Sequence, residues 1–99
     1  MQVDIRFEGD IIYWRGPSPF HFVPVPEAEC RQLADLAPVV SYGWGVIPVS
    51  ASIGDTRWRT SLFPKDGGYL VPVKNAVRQS EDLDVGDVVS IELTIQVRT

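Results

Sequence analysis

The sequence is poor in the residues that most often carry chemistry. Its 99 residues include one cysteine, Cys30, and one histidine, His21. One cysteine excludes an intramolecular disulfide, which fits a reducing compartment and predicts a cytoplasmic protein. One histidine and one cysteine fall short of a zinc site of the His/Cys type, which takes several such ligands. We therefore expect neither a metal nor a cofactor.

Long apolar runs are also missing. No stretch approaches the roughly 20 apolar residues that a helix needs to cross a membrane. The opening residues MQVDIRFEGD lack the basic region, the apolar run and the small-residue cleavage site of a secretory signal. The sequence therefore predicts no signal peptide and no membrane partner.

Basic residues are outnumbered. Nine Lys and Arg stand against thirteen Asp and Glu, which gives a formal net charge of −4. Binding to a phosphate backbone depends on clustered basic side chains that release counterions. The charge thus argues against a nucleic-acid partner and leaves a small molecule or a protein as the expected one. We expect a monomer or a weak homodimer.

The residues that are present predict one β-rich domain spanning 1–99. Apolar and polar residues alternate most clearly at 89–97, and they do so again at 3–8 and 57–62. Because successive side chains of a strand point to opposite faces, these runs predict half-buried antiparallel strands. Turn-forming clusters separate the runs. They are Gly9-Asp10, Gly54-Asp55, Gly86-Asp87, GPSP at 16–19 and PKDGG at 64–68.

Two short segments predict helices. The first runs from Pro26 to about Ala37, since proline suits the first helical position and an apolar face follows it. The second runs from about Lys74 to Glu81. The residues expected to face the core are Cys30, Leu33, Ala34 and Ala37 in the first and Ala76 and Val77 in the second.

One sequence pattern occurs twice. FVPV at 22–25 returns as LVPV at 70–73, 48 residues later, and each copy has a Gly-Asp pair and a Trp-Arg pair before it and a helix after it. The pattern predicts two similar halves, roughly 1–45 and 46–99; the alternative is that β-rich chains reuse Val, Pro and Gly-Asp for local reasons. Because proline has no N–H to donate, Pro24 and Pro72 are predicted near strand ends or at an edge.

Residues 68–93 resemble the swapped-hairpin module of AbrB-type proteins. In that family a strand ending near a proline leads to a short helix, a Gly-Asp turn and a second strand, and two modules interlock as a dimer. Here the first half of the same chain would supply the second module. AbrB-type proteins rely on a basic surface, whereas Lys74 and Arg78 are surrounded by acidic residues here. Nucleic-acid binding is therefore the less favoured alternative.

A broader likeness covers nearly the whole chain. The segments YWRGPSPFHFVPVP, YGWGVIPV, TSLFPKDGGYLVPVK and LDVGDVVSIEL resemble the bacterial domain-of-unknown-function family nineteen-oh-five. That resemblance implies a mainly β protein: a single-chain double-split β-barrel with two pseudo-symmetric halves and two short helices. It implies no activity, cofactor or site residues, because none is established for the family.

The candidate binding residues are His21, the one histidine, and residues from two features of the sequence. In SYGWGVIPV, two glycines flank Trp44, with Tyr42 beside it; Trp44 would either line a pocket or fill the core at a bend. The Trp-Arg pairs place Trp14 and Trp58 inward at equivalent positions. The outward arginines are either simply exposed or, with neighbouring cations, form a basic patch for an anion or an acidic partner. The cations of this patch are Arg15, Arg57, Arg59 and Lys65.

Two functions remain open. The favoured one is a small non-catalytic binding module for a small molecule or peptide. The alternative is an enzyme of unrecognised type that uses His21, although one histidine without a marked nucleophile does not make a triad. On the strand pattern His21 is expected on the solvent face, and Cys30 is expected to be a buried thiol.

Overall fold

The computed structural model describes residues 1–15 and 20–97, so the predicted turn at 16–19 lies outside the described residues. The described part of the chain is mainly β, as predicted. It forms, in order, β1 (Gln2–Asp10), β2 (Ile12–Trp14), β3 (Phe20–Pro24), α1 (Glu27–Val40), β4 (Ile47–Ile53), β5 (Thr56–Lys65), β6 (Gly68–Val73), α2 (Asn75–Glu81) and β7 (Val88–Gln96).

The strands form one antiparallel sheet in the order β1-β7-β4-β5-β6-β3-β2. The sheet curls into a half-barrel, because the end of β1 comes back against β3. At this contact a Cβ on Gly9 would lie only 2.7 Å from Cγ1 of Val23, so the close approach requires a glycine. This curled sheet with two helices agrees with the double-split arrangement that the sequence predicts.

The inner face of the curled sheet carries the main core. The alternation read from the sequence is confirmed there, with Ile5, Trp58 and Leu93 among the buried members. α1 places Leu33 in this core and α2 places Val77 there.

Two inward positions were wrongly predicted, because Ala34 and Ala76 are exposed. The buried stripe of α1 passes instead through Leu36 and Val40, and α1 runs three residues beyond its predicted end at Ala37. Pro38 lies inside this last turn.

The predicted turns have mixed outcomes. Residues 54–55 form a two-residue turn between β4 and β5, and residues 66–67 form one between β5 and β6. Both turns use left-handed backbone, which glycine adopts without strain. The turn predicted at Gly9-Asp10 is wrong, because β1 continues through both residues and pairs with β7 there.

β5 pairs with two neighbours along its length. Residues 56–62 pair with β4, whereas on the other side only residues 63–65 pair with β6. Beyond the Phe63–Leu70 pair, β6 continues beside β3 alone. The sheet therefore splits between β5 and β6.

Pro72 lies where β6 leaves β5. The Val25 N–H donates to the Tyr69 carbonyl. Since alternate residues of a strand bond to opposite neighbours, Leu70 and Pro72 turn their backbone groups towards β5. Of the two bonds that the next pair with β5 would exchange, one needs an N–H at position 72, which proline lacks, and the other needs the Pro72 carbonyl as acceptor. That carbonyl accepts a hydrogen bond from Nε1 of Trp58 instead, at 3.1 Å.

The two Val-Pro-Val segments meet across β3 and β6. Val23 lies directly opposite Val71, with Phe22 opposite Pro72 on one side of this pair. α1 begins at Glu27 and α2 at Asn75, each two residues after the second valine of its segment. The two segments therefore run antiparallel around the Val23–Val71 pair.

Candidate functional site

The outer face of the sheet, which points away from the main core, is divided into two kinds of surface. On β1, β7 and β4 it is polar: Arg6 Nε donates to Glu92 at 2.7 Å, and Thr94 Oγ1 donates to Asp4 at 3.0 Å. On β2, β3, β6 and the end of β5 it is aromatic. The outer face of the sheet thus has a polar part and an aromatic part, whereas its inner face is apolar throughout the core.

Phe22 is the centre of the aromatic part. Its ring centroid lies 5.6 Å from Phe20, 6.0 Å from Trp14 and 6.2 Å from Phe63. These distances and the tilted ring planes are typical of favourable aromatic pairs. Phe22 is only 5% exposed, yet it lies outside the main core cluster. The rings therefore build a second apolar layer on the outer side of the sheet.

An open groove of about 480 Å³ runs through this layer at the split between β5 and β6. We call it the aromatic groove. It is lined by Trp14, Phe20, Phe22, Thr60, Ser61, Phe63 and Pro72. Its volume falls within the roughly 300–1,000 Å³ of small-molecule sites, and its lining is mostly apolar, as is usual for them.

Trp44 extends the aromatic groove at one end. Its ring meets the ring of Phe63 edge-on, with centroids 4.9 Å apart, and its side chain is 65% exposed. The alternative that Trp44 fills the core is therefore wrong. Tyr42, two residues earlier, is also exposed, and its hydroxyl lies 3.2 Å from Oγ of Ser61. The structure thus brings Tyr42 and Trp44 together over β5.

Lys65 borders the aromatic groove at Trp14. Its Nζ lies 4.3 Å from the centre of the Trp14 ring, within the range of a cation–π contact. The carboxylate of Asp66 is 3.9 Å from the same Nζ, a weak exposed pair. Lys65 is the cation of the predicted basic patch that reaches the aromatic rings.

The other cations of the predicted patch are spread out. Arg57 and Arg59 are exposed on the same face of β5 as Phe63, further along the strand. Arg15 follows β2 at the border of the described residues and is exposed. None of the ion pairs among residues 1–15 and 20–97 involves these three arginines. They do not form one cluster with Lys65.

The two Trp-Arg pairs are not equivalent in the structure. Trp58 faces the core and is 7% exposed, as predicted. Trp14 is half-buried on the outer face, against Phe22 and Phe63, so its predicted inward position is wrong. The reason lies in the strand pairing, because Trp14 is opposite Phe20 and shares its outward side.

His21 lies on the other side of β3. It is half-buried, it is opposite Val73, and its ring meets that of Tyr13 at 4.9 Å, which differs from the predicted solvent face. Burial, together with the charge of Arg78, lowers the pKa of His21, while Asp84 acts in the opposite direction. His21 therefore contributes nothing to the aromatic groove.

A family model described as "Domain of unknown function (DUF1905)" matches residues 7–93. The chain belongs to this family. The match covers every residue that lines the aromatic groove, from Trp14 to Pro72. The resemblance stated from the sequence is therefore confirmed at the level of the DUF1905 family. No curated protein matches the chain.

Three further observations concern this DUF1905 domain. Among the described residues, no helix is both long enough and apolar enough to span a membrane. Within the same residues, no group of three or more His, Cys, Asp or Glu side chains is arranged to hold a metal ion. Cys30 is half-buried, and its Sγ lies 3.2 Å from the Val25 carbonyl oxygen.

None of the residues that line the aromatic groove, above all Phe22, Phe63 and Pro72, was predicted from the sequence as a site residue; the predicted Trp44 and Lys65 lie at its border. One signal was present, because Phe20 and Phe22 alternate with His21 and must share a side of their strand. Which side faces outward depends on the pairing with β6. That pairing is a contact between residues far apart in the chain, so the local pattern does not reveal it.

Proposed function

We propose that this DUF1905 domain is a small non-catalytic binding module. Its aromatic groove would take an apolar, ring-bearing group carried by a small molecule or a peptide. One observation carries the proposal: a continuous aromatic surface lies open at the split between β5 and β6, outside the main core. Exposed apolar surfaces of this kind mark ligand or protein contacts more often than scattered apolar residues do.

The groove offers three kinds of contact to such a group. The rings of Trp14 and Phe63 stand 64° apart, so they present one face and one edge to a third ring. Ser61 adds a hydroxyl, and its backbone groups point towards the split, because alternate residues of a strand bond to opposite neighbours and Phe63, two residues on, is paired with Leu70 of β6. Lys65 adds a positive charge at the border.

The proposal is tested with two simple probes, benzyl alcohol and N-acetylphenylalanine amide. Each is titrated into ¹⁵N-labelled protein while the amide signals are followed by NMR. Saturable shifts are expected at Ser61, Phe63 and Val71. Preference for the amide would favour a peptide ligand, and preference for the alcohol would favour a small molecule.

A matched pair of variants makes this test specific. Phe63→Ala removes the ring that contacts Trp14, Phe22 and Trp44, and it should weaken probe binding by about tenfold or more. Val88→Ala removes an apolar side chain that is 63% exposed and does not line the groove, so it should leave probe binding unchanged. Shifts spread evenly over the surface, or equal losses in both variants, would contradict the proposal.

We further propose that the two halves of the chain derive from one duplicated unit. The support is the antiparallel meeting of Val23 and Val71, together with two helices that start 48 residues apart at Glu27 and Asn75. The binding proposal does not extend to catalysis at His21, which lies on the other side of β3 from Phe22, nor to nucleic acid.

A further inference from the structure

A second hollow lies on the outer face, next to the polar part of the sheet. It has a volume of about 330 Å³ and lies between the end of α1 and the strands β4, β5 and β7. We call it the Arg59 hollow. Its walls include Val39, Val40, Pro48, Ser50, Arg59 and Thr94.

The Arg59 hollow has one apolar wall and one polar floor. Val39, Val40 and Pro48 form the apolar wall, and Val39 is exposed. On the floor, Arg59 lies opposite Ser50 and Ser50 lies opposite Thr94, so these side chains form a row across three strands. Since neighbouring strands are about 4.8 Å apart, the polar groups of adjacent members are close together.

Arg59 is the charged side chain among the residues that line the hollow. Arg59 is exposed, and no carboxylate among residues 1–15 and 20–97 pairs with it. The next residue of the row beyond Thr94 is Asp4, whose Oδ1 already accepts bonds from Thr94 and Gln2.

The end of α1 adds a partial negative charge beside the hollow. That charge is reduced because the Ala37 carbonyl accepts two hydrogen bonds from Ser41. Within the hollow, the full positive charge of Arg59 stands beside the partial negative charge of the helix end. The carboxylate of Asp4 is outside the lining, three strands from Arg59, so an anion is favoured at the Arg59 end of the hollow.

We propose that the Arg59 hollow binds a small organic carboxylate. The planar guanidinium of Arg59 presents paired N–H donors that match the two oxygens of a carboxylate, and the Ser50 hydroxyl adds a donor beside it. A short aliphatic tail then packs against Val39, Val40 and Pro48. The site is independent of the aromatic groove, because Arg59 does not line the groove and Ser61 lies between Arg59 and Phe63 on β5.

The test is a titration of the full chain with sodium isobutyrate at constant ionic strength, followed by ¹⁵N NMR. Saturable shifts are expected at Val40, Ser50 and Arg59. Isobutanol, which has the same tail and no charge, should bind at least about tenfold more weakly. Sodium sulfate, which carries charge but has no aliphatic tail, should also bind more weakly than isobutyrate.

Two neighbouring arginines provide the matched variants. Arg59→Gln should weaken isobutyrate binding by about tenfold or more, since a charge-assisted pair is lost. Arg57→Gln removes the same charge two residues away, from a side chain that does not line the hollow, and should change binding by less than about twofold. If Arg59→Gln fails to fold, Arg59→Lys keeps the charge without the fork and should still bind several-fold more weakly.

Three results would overturn this inference. The first is isobutyrate shifts that do not saturate or that spread over the whole surface. The second is equal losses in Arg59→Gln and Arg57→Gln, which would indicate a general effect of charge. The third is equal binding of isobutyrate and isobutanol. Probe binding at Phe63 is unaffected by each of these results, so the proposed function is judged separately.

Discussion

The indole N–H of Trp58 donates to the carbonyl of Pro72 at 3.1 Å, and this bond joins β5 to β6 beyond the point where their pairing ends. Trp58 lies on the inner face below the aromatic groove, and Pro72 lines the groove above it. The side chain of Trp58 thus links β5 and β6 at the base of the groove, where the two backbones are not hydrogen-bonded to each other.

Trp58→Phe is expected to lower the free energy of unfolding by about 1–3 kcal/mol, because the Pro72 carbonyl loses its donor and a ring is shortened in the core. Urea denaturation measures the effect. Trp44→Phe is the control, since Trp44 is exposed and should change stability by about 0.5 kcal/mol or less. Equal losses in the two variants would mean that the Trp58–Pro72 bond contributes little.

Pro72→Ala is expected to narrow the aromatic groove. The substitution supplies the missing N–H, so β6 gains the option of one further bond to β5 opposite Ser61. Hydrogen exchange followed by NMR should then show a protected amide at position 72, and N-acetylphenylalanine amide should bind more weakly than it does to the parent. A rapidly exchanging amide at position 72, with unchanged binding, would show that the split has another cause.

Gly54→Ala is expected to destabilise the protein more than Gly67→Ala does. Both glycines have positive φ, 56° at Gly54 and 80° at Gly67, so each substitution carries a conformational cost of about 1 kcal/mol. At Gly54 the new Cβ would also collide with the carboxylate of Glu81, which accepts a hydrogen bond from Thr56 at 2.6 Å.

At Gly67 nothing lies within 4 Å of the new Cβ, so only the conformational cost applies. Comparing the melting temperatures of the two variants should therefore separate the cost of the collision with Glu81 from the conformational cost of positive φ. Equal melting temperatures would show that Glu81 moves aside without cost.

The pH dependence of stability should carry a contribution from His21. Burial and Arg78 lower its pKa in the folded protein below the ordinary 6.5, so the unfolded chain takes up this proton more readily. The contribution of neutral His21 to stability is therefore fully present above about pH 6.5 and is lost as the pH falls through the folded pKa.

His21 is the only histidine, so its ring signals can be titrated by NMR without ambiguity. His21→Gln should flatten the loss of stability below about pH 6.5. A midpoint above that of a model histidine peptide would reverse the sign of this prediction.

Period-two alternation was enough to predict β7 and the inner faces of β1 and β5. The two predicted helix starts, Pro26 and about Lys74, also lie about one residue from the observed starts. Those features depend on neighbours in the sequence. The orientation of the Trp14 side chain depends on residues far away in the sequence. β2 pairs with β3, so the side chain of Trp14 points to the same side as that of Phe20, and the orientation of β3 is set in turn by its pairing with Val71 on β6.

The same limit applies to the aromatic groove. Phe22, Phe63 and Pro72 come from three strands, and they form one surface only because β5 and β6 separate after Leu70. A short sequence pattern contains Pro72, which lies where the pairing of β5 with β6 ends. That pattern does not reveal the long-range contacts that bring Phe22 and Phe63 to the edge of the split. Trp44 illustrates this, since its flanking glycines predicted a bend correctly without indicating that its ring would rest on Phe63.

All three tryptophans of the chain adjoin the aromatic groove: Trp14 and Trp44 contact Phe63, and Trp58 is bonded to Pro72. The tryptophan emission of the unlabelled protein therefore originates at this groove and in the core directly beneath it. A molecule entering the groove changes the polarity around Trp14 and Trp44, while separation of β5 from β6 frees the indole of Trp58. The intensity and wavelength of tryptophan emission thus monitor this one region, and purified compounds that neither absorb nor emit in the same range can be screened without attaching a dye.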